Sequence, residues 1–372
     1  MAEVEVVVVG AGIVGLACAA ALARRGRSVL VLERAEGIAR ETSARNSEVL
    51  HAGLYYPPGS LKAVLCVEGR ARLLERARRL GLPHRVLGKL VVAVRPEEVA
   101  VLERLRATGS ANGAEGLALV EGAEAMRREP SLRVVAALDS PGTGICDAHA
   151  LALSFAAEAE SHGAALVLRT RVEGLERSRA GWRVAARGAD GEAVTLDCVA
   201  VVNAAGLASD ELAGLAGIDV EARRWRLHLC KGDYFSLAPG APLRLQRLVY
   251  PVPESAGLGV HATLDLGGRV RFGPDTEYVE RPRYDVDPRK ADRFAEAVRR
   301  YLPAMRAEWL SPEMAGVRPR LAAPGEGFRD FVVSEESAAG LPGLVNLVGI
   351  ESPGLTASPA IAERVAELLS AL

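Results

Sequence analysis

The first forty residues run in the order strand, glycine-rich turn, helix, strand. The segment EVVVVG, which ends at Gly10, is continuous and β-branched, and this predicts a fully buried parallel strand. An alanine-rich segment follows to about Arg25 and predicts a helix that stops at Gly26. The segment SVLVLE then predicts a second strand that ends at Glu33.

The pattern of apolar residues predicts further helices and strands that belong with this N-terminal strand–helix–strand segment. Residues 151–176 predict a helix, a stop at Gly163 and a strand. The following segment predicts a hairpin that turns at Asp190-Gly191 and then an apolar strand that ends at Gly206. Near the C-terminus LVNLVGI predicts another strand, and the last helix is expected to hold Pro359 in its first turn.

The segments between these pieces change to period-two alternation with Gly and Pro turns, as in HLCKGDYFSL and LGVHATLD. That pattern predicts a mixed or antiparallel sheet. We therefore predict an α/β protein with two interleaved domains. A Rossmann-like cofactor domain is assembled from residues 1–83, 145–220 and 331–372, and an α+β substrate domain is assembled from residues 84–144 and 221–330.

Three glycines, Gly10, Gly12 and Gly15, form the pattern G-x-G-x-x-G between the first strand and the helix. The first permits a tight turn, the second lets the backbone approach a pyrophosphate, and the third allows the helix to pack closely on the strand. The helix N-terminus offers N–H groups and a positive dipole end to phosphates. Glu33 is placed to accept hydrogen bonds from ribose hydroxyls. The pattern predicts a bound dinucleotide and leaves FAD and NAD open.

Composition narrows the function classes. The 46 basic and 47 acidic residues nearly cancel, which gives no general attraction to nucleic acid or anionic lipid. The five cysteines are scattered without a CxxC pair, which indicates reduced thiols rather than a disulfide framework or a zinc site. The apolar N-terminal stretch lacks the basic start of a signal peptide and is broken by glycines. We therefore expect a cytoplasmic protein without a transmembrane segment, and peripheral contact with the inner face of a membrane stays open.

Several segments together resemble the L-2-hydroxyglutarate dehydrogenase/oxidase family, a branch of the D-amino-acid-oxidase-like FAD oxidoreductases. They are NSEVLHAGLYY, GKLVVAV, KGDYF, LVYPVP, GVHATLD, VVNAAGLASDELA and the closing SPGLTASPAIAERVAELL. The resemblance covers nearly the whole chain. It implies FAD between the two domains and oxidation of a small 2-hydroxy acid, with L-2-hydroxyglutarate as the first candidate. In the segment GVRPRL the arginine is followed by proline, which is closer to the amino-acid oxidases. An amino acid or amine substrate is therefore the alternative.

The resemblance also implies which residues contact FAD. Arg45 and Asn46 are expected near the phosphates or the ribityl chain. The segment SPGLT ends a strand and opens a helix, so its backbone N–H groups are expected near the flavin O2 or the ribityl hydroxyls. The full predicted set is Gly10, Gly12, Ile13, Val14, Gly15, Glu33, Arg34, Thr42, Ser43, Arg45, Asn46, Ser47, Val172, Ala205, Gly206, Pro353, Gly354, Leu355 and Thr356.

Histidines and tyrosines are the candidates for proton transfer. His51 is the first candidate for the base that accepts the hydroxyl proton, since a neutral imidazole titrates near working pH. The alternative is a buried histidine that orients a loop. His261, on a predicted strand, is a candidate second base or hydrogen-bond donor, and equally a core histidine. Tyr250, Tyr55 and Tyr56 have the apolar ring and polar tip of a pocket wall, and packing alone is their alternative.

Two cations are candidates for holding the substrate. Arg318 matches a carboxylate with two parallel hydrogen bonds, which lysine cannot make, and the resemblance places an arginine there. A dicarboxylate needs a second cation, and Lys231 is the candidate. In each case a solvated side chain is the alternative. The expected partners are a small carboxylate and an electron acceptor, with oxygen, a quinone and a carrier protein all open. A flavin-binding subunit without turnover and an NAD-dependent dehydrogenase are the rival functions.

Overall fold

The computed structural model describes residues 4–253 and 259–370. Residues 1–3, Leu258 and residues 371–372, which fall within predicted elements or ranges, lie outside the described residues. The described helices are α1 (Ile13–Arg24), α2 (Leu61–Leu80), α3 (Val99–Ala111), α4 (Gly122–Arg128), α5 (Ala148–Ser161), α6 (Ser209–Leu215), α7 (Ala291–Arg299) and α8 (Gly354–Leu368).

The strands follow in chain order and are labelled separately. They are β1 (Val4–Val9), β2 (Val29–Leu32), β3 (Val49–Leu50), β4 (His84–Arg85), β5 (Lys89–Ala93), β6 (Ala118–Glu121), β7 (Ala136–Ser140), β8 (Gly144–Cys146), β9 (Ala165–Val167), β10 (Arg171–Ser178), β11 (Gly181–Arg187), β12 (Ala193–Asn203), β13 (His228–Leu237), β14 (Leu248–Pro251), β15 (Ala262–Leu264), β16 (Val270–Phe272), β17 (Glu277–Tyr278), β18 (Leu310–Arg320), β19 (Val332–Glu336) and β20 (Leu341–Val348).

The first sheet has a parallel centre in the order β9-β2-β1-β12-β20. Strand β19 adds antiparallel to β20, and the hairpin β10–β11 pairs with the first half of β12. Apolar residues of α1, α5 and α8 pack together with β1 and β2 in one buried cluster. This arrangement confirms the predicted Rossmann-like α/β fold.

The second sheet is mixed, as predicted. Its order is β17-β13-β16-β15-β14-β5-β7-β6, and β18 pairs along the length of β13. The pair β14–β5 is parallel, whereas the other pairs are antiparallel. Strands of the first sheet all fall in the ranges predicted for the cofactor domain, and those of the second in the ranges predicted for the substrate domain. The small sheet β3-β8-β4 joins both sets, and the domain boundaries stay a prediction.

Three local predictions are wrong. Pro359 lies in the second turn of α8, because the helix already begins at Gly354. The carbonyl of Leu355, which loses its usual amide partner at a proline, accepts a hydrogen bond from Ser358 Oγ at 2.9 Å instead. The second hairpin strand and the apolar strand after it are one continuous strand, β12, and His261 precedes β15 rather than lying within it.

The turn between β1 and α1 is packed too tightly for side chains. A Cβ added at Gly15 would lie 2.0 Å from the carbonyl oxygen of Gly10. A Cβ added at Gly10, where φ is +107°, would lie 2.5 Å from the carbonyl oxygen of Ala204. The glycine pattern therefore lets β1, α1 and the end of β12 meet backbone to backbone.

We expect Gly15→Ala to lower the free energy of unfolding by about 1–3 kcal/mol, the usual cost of overpacking. Thermal unfolding measures the change. Gly214→Ala in α6 is the matched control, because a Cβ there meets nothing within 4 Å. A Gly15→Ala protein as stable as the wild type would contradict the tight packing of this turn.

Candidate active site

Two adjoining cavities lie at the carboxyl ends of the parallel strands of the first sheet. The small cavity, of about 150 Å³, includes Glu33 after β2. The large cavity, of about 420 Å³, extends to His51 and Arg318. Both cavities are lined by Gly12, where α1 begins, and by Ser43. Together they form one long groove that passes the N-terminus of α1.

All the residues predicted to contact the cofactor line this groove. The small cavity holds Gly10, Gly12, Glu33, Arg34, Thr42, Ser43, Val172, Ala205 and Gly206. The large cavity holds Ile13, Val14, Gly15, Arg45, Asn46, Ser47, Pro353, Gly354, Leu355 and Thr356. Their individual contacts with a cofactor stay predictions.

The groove has the donors and acceptors that a dinucleotide needs. At its middle, the first turn of α1 carries no acidic side chain, so its N-terminal dipole faces the groove unopposed. Ser43 Oγ accepts a hydrogen bond from the amide of Ile13 at 3.0 Å. At one end, the Glu33 carboxylate accepts from the amide of Ala11 at 2.7 Å and from that of Ala35 at 2.8 Å. The groove thus has donors for phosphates at its middle and an acceptor for ribose hydroxyls at one end, which is the order of these groups along a dinucleotide. The residues therefore fit FAD.

His51 enters the large cavity from the loop after β3. Its amide donates to Thr356 Oγ1 at 3.1 Å, which ties this loop to the start of α8. Its Nε2 lies 3.3 Å from Ser352 Oγ, while its buried Nδ1 has no hydrogen-bond partner among the described residues. Burial, and then the nearby Lys89 ammonium, lower the pKa of His51 to about 3. The imidazole is therefore neutral at working pH, and the expectation that its pKa lies near working pH is wrong because the ring is buried.

Aromatic side chains form one wall of the large cavity. The ring of Tyr250 stacks on His261, with ring centroids 3.5 Å apart and planes 10° apart. Tyr55 and Tyr56 line the same cavity, as predicted for a pocket wall. Tyr234, which the sequence interpretation did not single out, also lines it and shares a hydrogen bond with Ser47.

A group of cations lines the cavity next to the histidine. Strand β18 contributes Arg318 and Arg320, and Lys62 comes from α2. These three surround the carboxylate of Glu351. Its Oε1 lies 2.9 Å from Lys62 Nζ and 3.6 Å from Arg320 Nε. We call these four residues the cationic cluster.

The cationic cluster has more positive charge than its one carboxylate balances. Burial by itself raises the pKa of Glu351, but Lys62, Arg318 and Arg320 together bring it below its ordinary value. Within the described residues, the buried Nε atoms of Arg318 and Arg320 have no hydrogen-bond partner. Arg318 also donates to Cys230 Sγ at 3.2 Å, and Arg320 to Tyr278 at 2.9 Å. Three cations and one carboxylate thus leave the cluster with surplus positive charge.

Lys231 does not line the large cavity. Its predicted role as the second cation for a dicarboxylate is therefore wrong. Gly232 and Tyr234 of β13 line the cavity. Side chains alternate along a strand, so Lys231 and Asp233 lie on the opposite face. There Lys231 Nζ donates to Asp233 at 2.5 Å, and the same carboxylate accepts from Lys290 at 2.6 Å.

Sequence reasoning missed part of this site. The signal for Arg320 was present, because it follows Arg318 by two positions on a strand and so shares its face. Lys89 was also visible as a lone charge in the apolar strand GKLVVAV. Lys62 and Glu351 lie 289 positions apart, and no local pattern joins them.

The described part of the chain contains no helix that is both long enough and apolar enough to cross a membrane. The cytoplasmic location stays a prediction. All five cysteines are buried free thiols, in line with the reduced state that their spacing indicates.

Comparison with known proteins agrees with the geometry. Residues 5–368 match the family model described as FAD dependent oxidoreductase, DAO. The mitochondrial L-2-hydroxyglutarate dehydrogenase of Arabidopsis thaliana is 42% identical over an alignment of 403 residues, which covers 98% of this chain and 83% of that protein.

Two solved structures extend the comparison. The L-α-glycerophosphate oxidase of Mycoplasma pneumoniae with FAD bound has a TM-score of 0.86 at 26% identity, covering 98% of this chain and 94% of its own. The glycine oxidase of Geobacillus kaustophilus has a TM-score of 0.82 at 23% identity, covering 99% and 95%. The second likeness shows the fold alone.

We expect Lys231→Met to lower stability without changing ligand binding in the large cavity. Asp233 keeps Lys290, so the loss should stay below the about 3–5 kcal/mol seen when a buried charge loses its only partner. Thermal unfolding and the absorbance of the bound cofactor, with and without an added dicarboxylate, measure the two effects. Lys290→Met, which acts on the same carboxylate, is the matched control. A selective loss of dicarboxylate binding in Lys231→Met would restore the original prediction.

Proposed function

Because the chain belongs to the FAD dependent oxidoreductase family, and within it to the L-2-hydroxyglutarate dehydrogenases, we propose that it oxidises a 2-hydroxydicarboxylate to the 2-oxo acid. L-2-hydroxyglutarate is the first candidate substrate. One observation carries the proposal: a neutral His51 shares a cavity with Arg318 and Arg320, whose positive charge Glu351 offsets only in part. When bound, FAD supplies acceptance of a hydride from the substrate carbon.

His51 accepts the hydroxyl proton in this proposal. Its Nε2 lies 3.3 Å from Ser352 Oγ, a contact that either tautomer of the ring can make. The O–H bond of the substrate breaks and an N–H bond forms on the imidazole. Because the imidazole starts neutral, it is in its accepting form throughout the physiological range, and its lowered pKa makes it a weaker base than a free imidazole. Ser352 holds the ring orientation.

Arg318 and Arg320 hold the two carboxylates. Two residues along a strand span about 7 Å, and their side chains leave the same face. That spacing suits the two ends of a short diacid, and planar guanidinium groups bind carboxylates with paired hydrogen bonds. Glu351 offsets only part of the positive charge of the cationic cluster. A dianion therefore completes the balance better than a monocarboxylate.

The comparisons support a hydroxy acid over the amine alternative. The Arabidopsis relative at 42% identity is named for 2-hydroxyglutarate, whereas the glycine oxidase is similar at 23%. Turnover further requires an electron acceptor, for which oxygen, a quinone and a carrier protein are the candidate classes. Anaerobic mixing with substrate isolates the first half of the reaction from this acceptor.

We expect His51→Ala to slow anaerobic flavin bleaching by L-2-hydroxyglutarate by about 10²–10⁴-fold, the usual contribution of a positioned base. The cofactor should stay bound, because the dinucleotide contacts lie elsewhere in the groove. Stopped-flow absorbance measures the rate. His149→Ala, at an exposed position of α5, is the control. A rate near that of the wild type in His51→Ala would remove the base from this proposal.

We expect Arg320→Met to weaken use of L-2-hydroxyglutarate while sparing a 2-hydroxy monocarboxylate of similar length. Loss of one charged hydrogen-bond pair costs about 1.5–3 kcal/mol, or roughly a 10- to 150-fold drop in kcat/KM for the diacid. Arg318→Lys should lower kcat/KM for both substrates, because the remaining cation lacks the paired geometry. Equal losses for both substrates in Arg320→Met would contradict recognition of a second carboxylate there.

A further inference from the structure

A lysine lies buried behind the aromatic wall of the large cavity. Lys89 is the first residue of β5 and is 0% exposed. Its ammonium lies 4.7 Å from the ring centroid of Tyr55 and 4.7 Å from that of Tyr250. Both rings line the large cavity. Only the thickness of these side chains separates the charge from the space where a substrate binds.

No acidic group in the described part of the chain offsets this charge. Of the residues that the structure describes, none forms an ion pair with Lys89. Cys66 of α2 is the nearby acid, but burial raises the pKa of its thiol to about 12, so it stays neutral. The next residues on the same face of β5, Val91 and Ala93, pack in an apolar cluster with Leu54. An uncompensated ammonium in such a place is costly and needs a function to account for it.

We propose that Lys89 is a positioning residue for the oxidation proposed above. Its buried ammonium, held behind the rings of Tyr55 and Tyr250, gives the cavity wall a positive charge that favours anionic ligands and disfavours a second positive charge on the His51 imidazole. Lys89 itself touches neither the substrate nor the cofactor in this account.

The electrostatics follow from the groups that surround the two residues. Lys89 faces Cys66, Tyr55 and Tyr250, all of which are neutral because burial raises their pKa values. His51 faces Ser352, the thiol of Cys66, which donates to its carbonyl, and Lys89. Burial is the larger cause of the low pKa of His51, and the Lys89 ammonium adds to it. A nearby like charge disfavours the charged form of a titratable group.

The same ammonium gives anion binding a pH dependence. Burial lowers the pKa of Lys89 to about 7, so the group is charged below that pH and neutral above it. A dicarboxylate in the cavity favours the charged form. Its affinity should therefore fall as the pH rises through 7 to 8. Since the unfolded chain keeps this lysine protonated to about pH 10.4, the cost of burying the charge is present below pH 7 and disappears toward pH 10.

Histidine NMR tests the first effect without relying on turnover. The holoenzyme is labelled in its histidine rings, and His51→Gln assigns the signal. In the wild type the His51 ring should stay neutral down to pH 5. In Lys89→Met its titration midpoint should rise by about one unit or more, whereas Lys89→Arg, which keeps the charge, should restore the low midpoint. A wild-type midpoint near 6.5, or an unchanged midpoint in Lys89→Met, overturns the proposal.

Binding of glutarate, a diacid without the 2-hydroxyl, tests the second effect through the absorbance of the bound flavin. At pH 6 the affinity should be roughly 10-fold lower in Lys89→Met than in the wild type, and its decline between pH 7 and 8 should vanish. Equal affinities overturn the proposal. Thermal unfolding at pH 6 checks the fold, with Lys89→Met expected to be at least as stable as the wild type.

The two proposals fail separately. A wild-type flavin that no 2-hydroxy acid bleaches contradicts the proposed function, while the His51 midpoint and the glutarate affinities still decide the role of Lys89. Conversely, normal bleaching with an unchanged His51 midpoint contradicts the role of Lys89 alone.

Discussion

Buried positive charge that the chain does not fully neutralise is the constraint on which the candidate site depends. Lys89 has no carboxylate partner within the described residues, and Glu351 is shared among Lys62, Arg318 and Arg320. Moving a cation out of water is expensive unless an anion compensates it. The fold tolerates this cost because the rest of each sheet is apolar and well packed. Ligand binding and stability are consequently linked: an anion in the large cavity relieves a cost that the empty protein carries.

The two sheets contribute different parts of the groove. The first sheet contributes mainly backbone, through the glycine turn before α1, whereas the second contributes side chains from alternating positions of its strands. They meet where β18 crosses the segment around Arg45. A Cβ at Gly316 would lie 2.2 Å from the carbonyl oxygen of Arg45, and Thr42 Oγ1 donates to the carbonyl of Val317 at 2.9 Å. This close approach sets Arg318 beside the groove.

Local sequence patterns correctly predicted the features of the fold that depend on neighbouring residues alone. The glycine turn and the order of the parallel strands along the chain follow from spacing and apolar runs, and the resemblance supplied the places of His51 and Arg318. Lys231 was misplaced because the identity of the buried face of β13 depends on its partner strands, not on its own sequence. The early start of α8 was not predicted, because a proline in the second turn of a helix normally leaves a carbonyl without a donor. Here the hydroxyl of Ser358 donates to that carbonyl in place of the missing amide of Pro359. The Lys62–Glu351 pair forms only when α2 and the loop before α8 come together.

The positive charge of the cavity also favours a hydroxy acid over an amino acid as the substrate. This argument does not depend on the comparison with related proteins. An amino acid carries an ammonium on its reacting carbon at neutral pH, and this charge would face Lys89 and the arginines across a wall of low dielectric constant. Like charges that share a poorly solvated cavity repel each other. A hydroxyl is neutral and meets no such opposition, yet it holds its proton firmly and gains from a base. The neutral imidazole of His51 supplies that base. A cationic wall and an unprotonated imidazole therefore favour the same substrate for separate reasons.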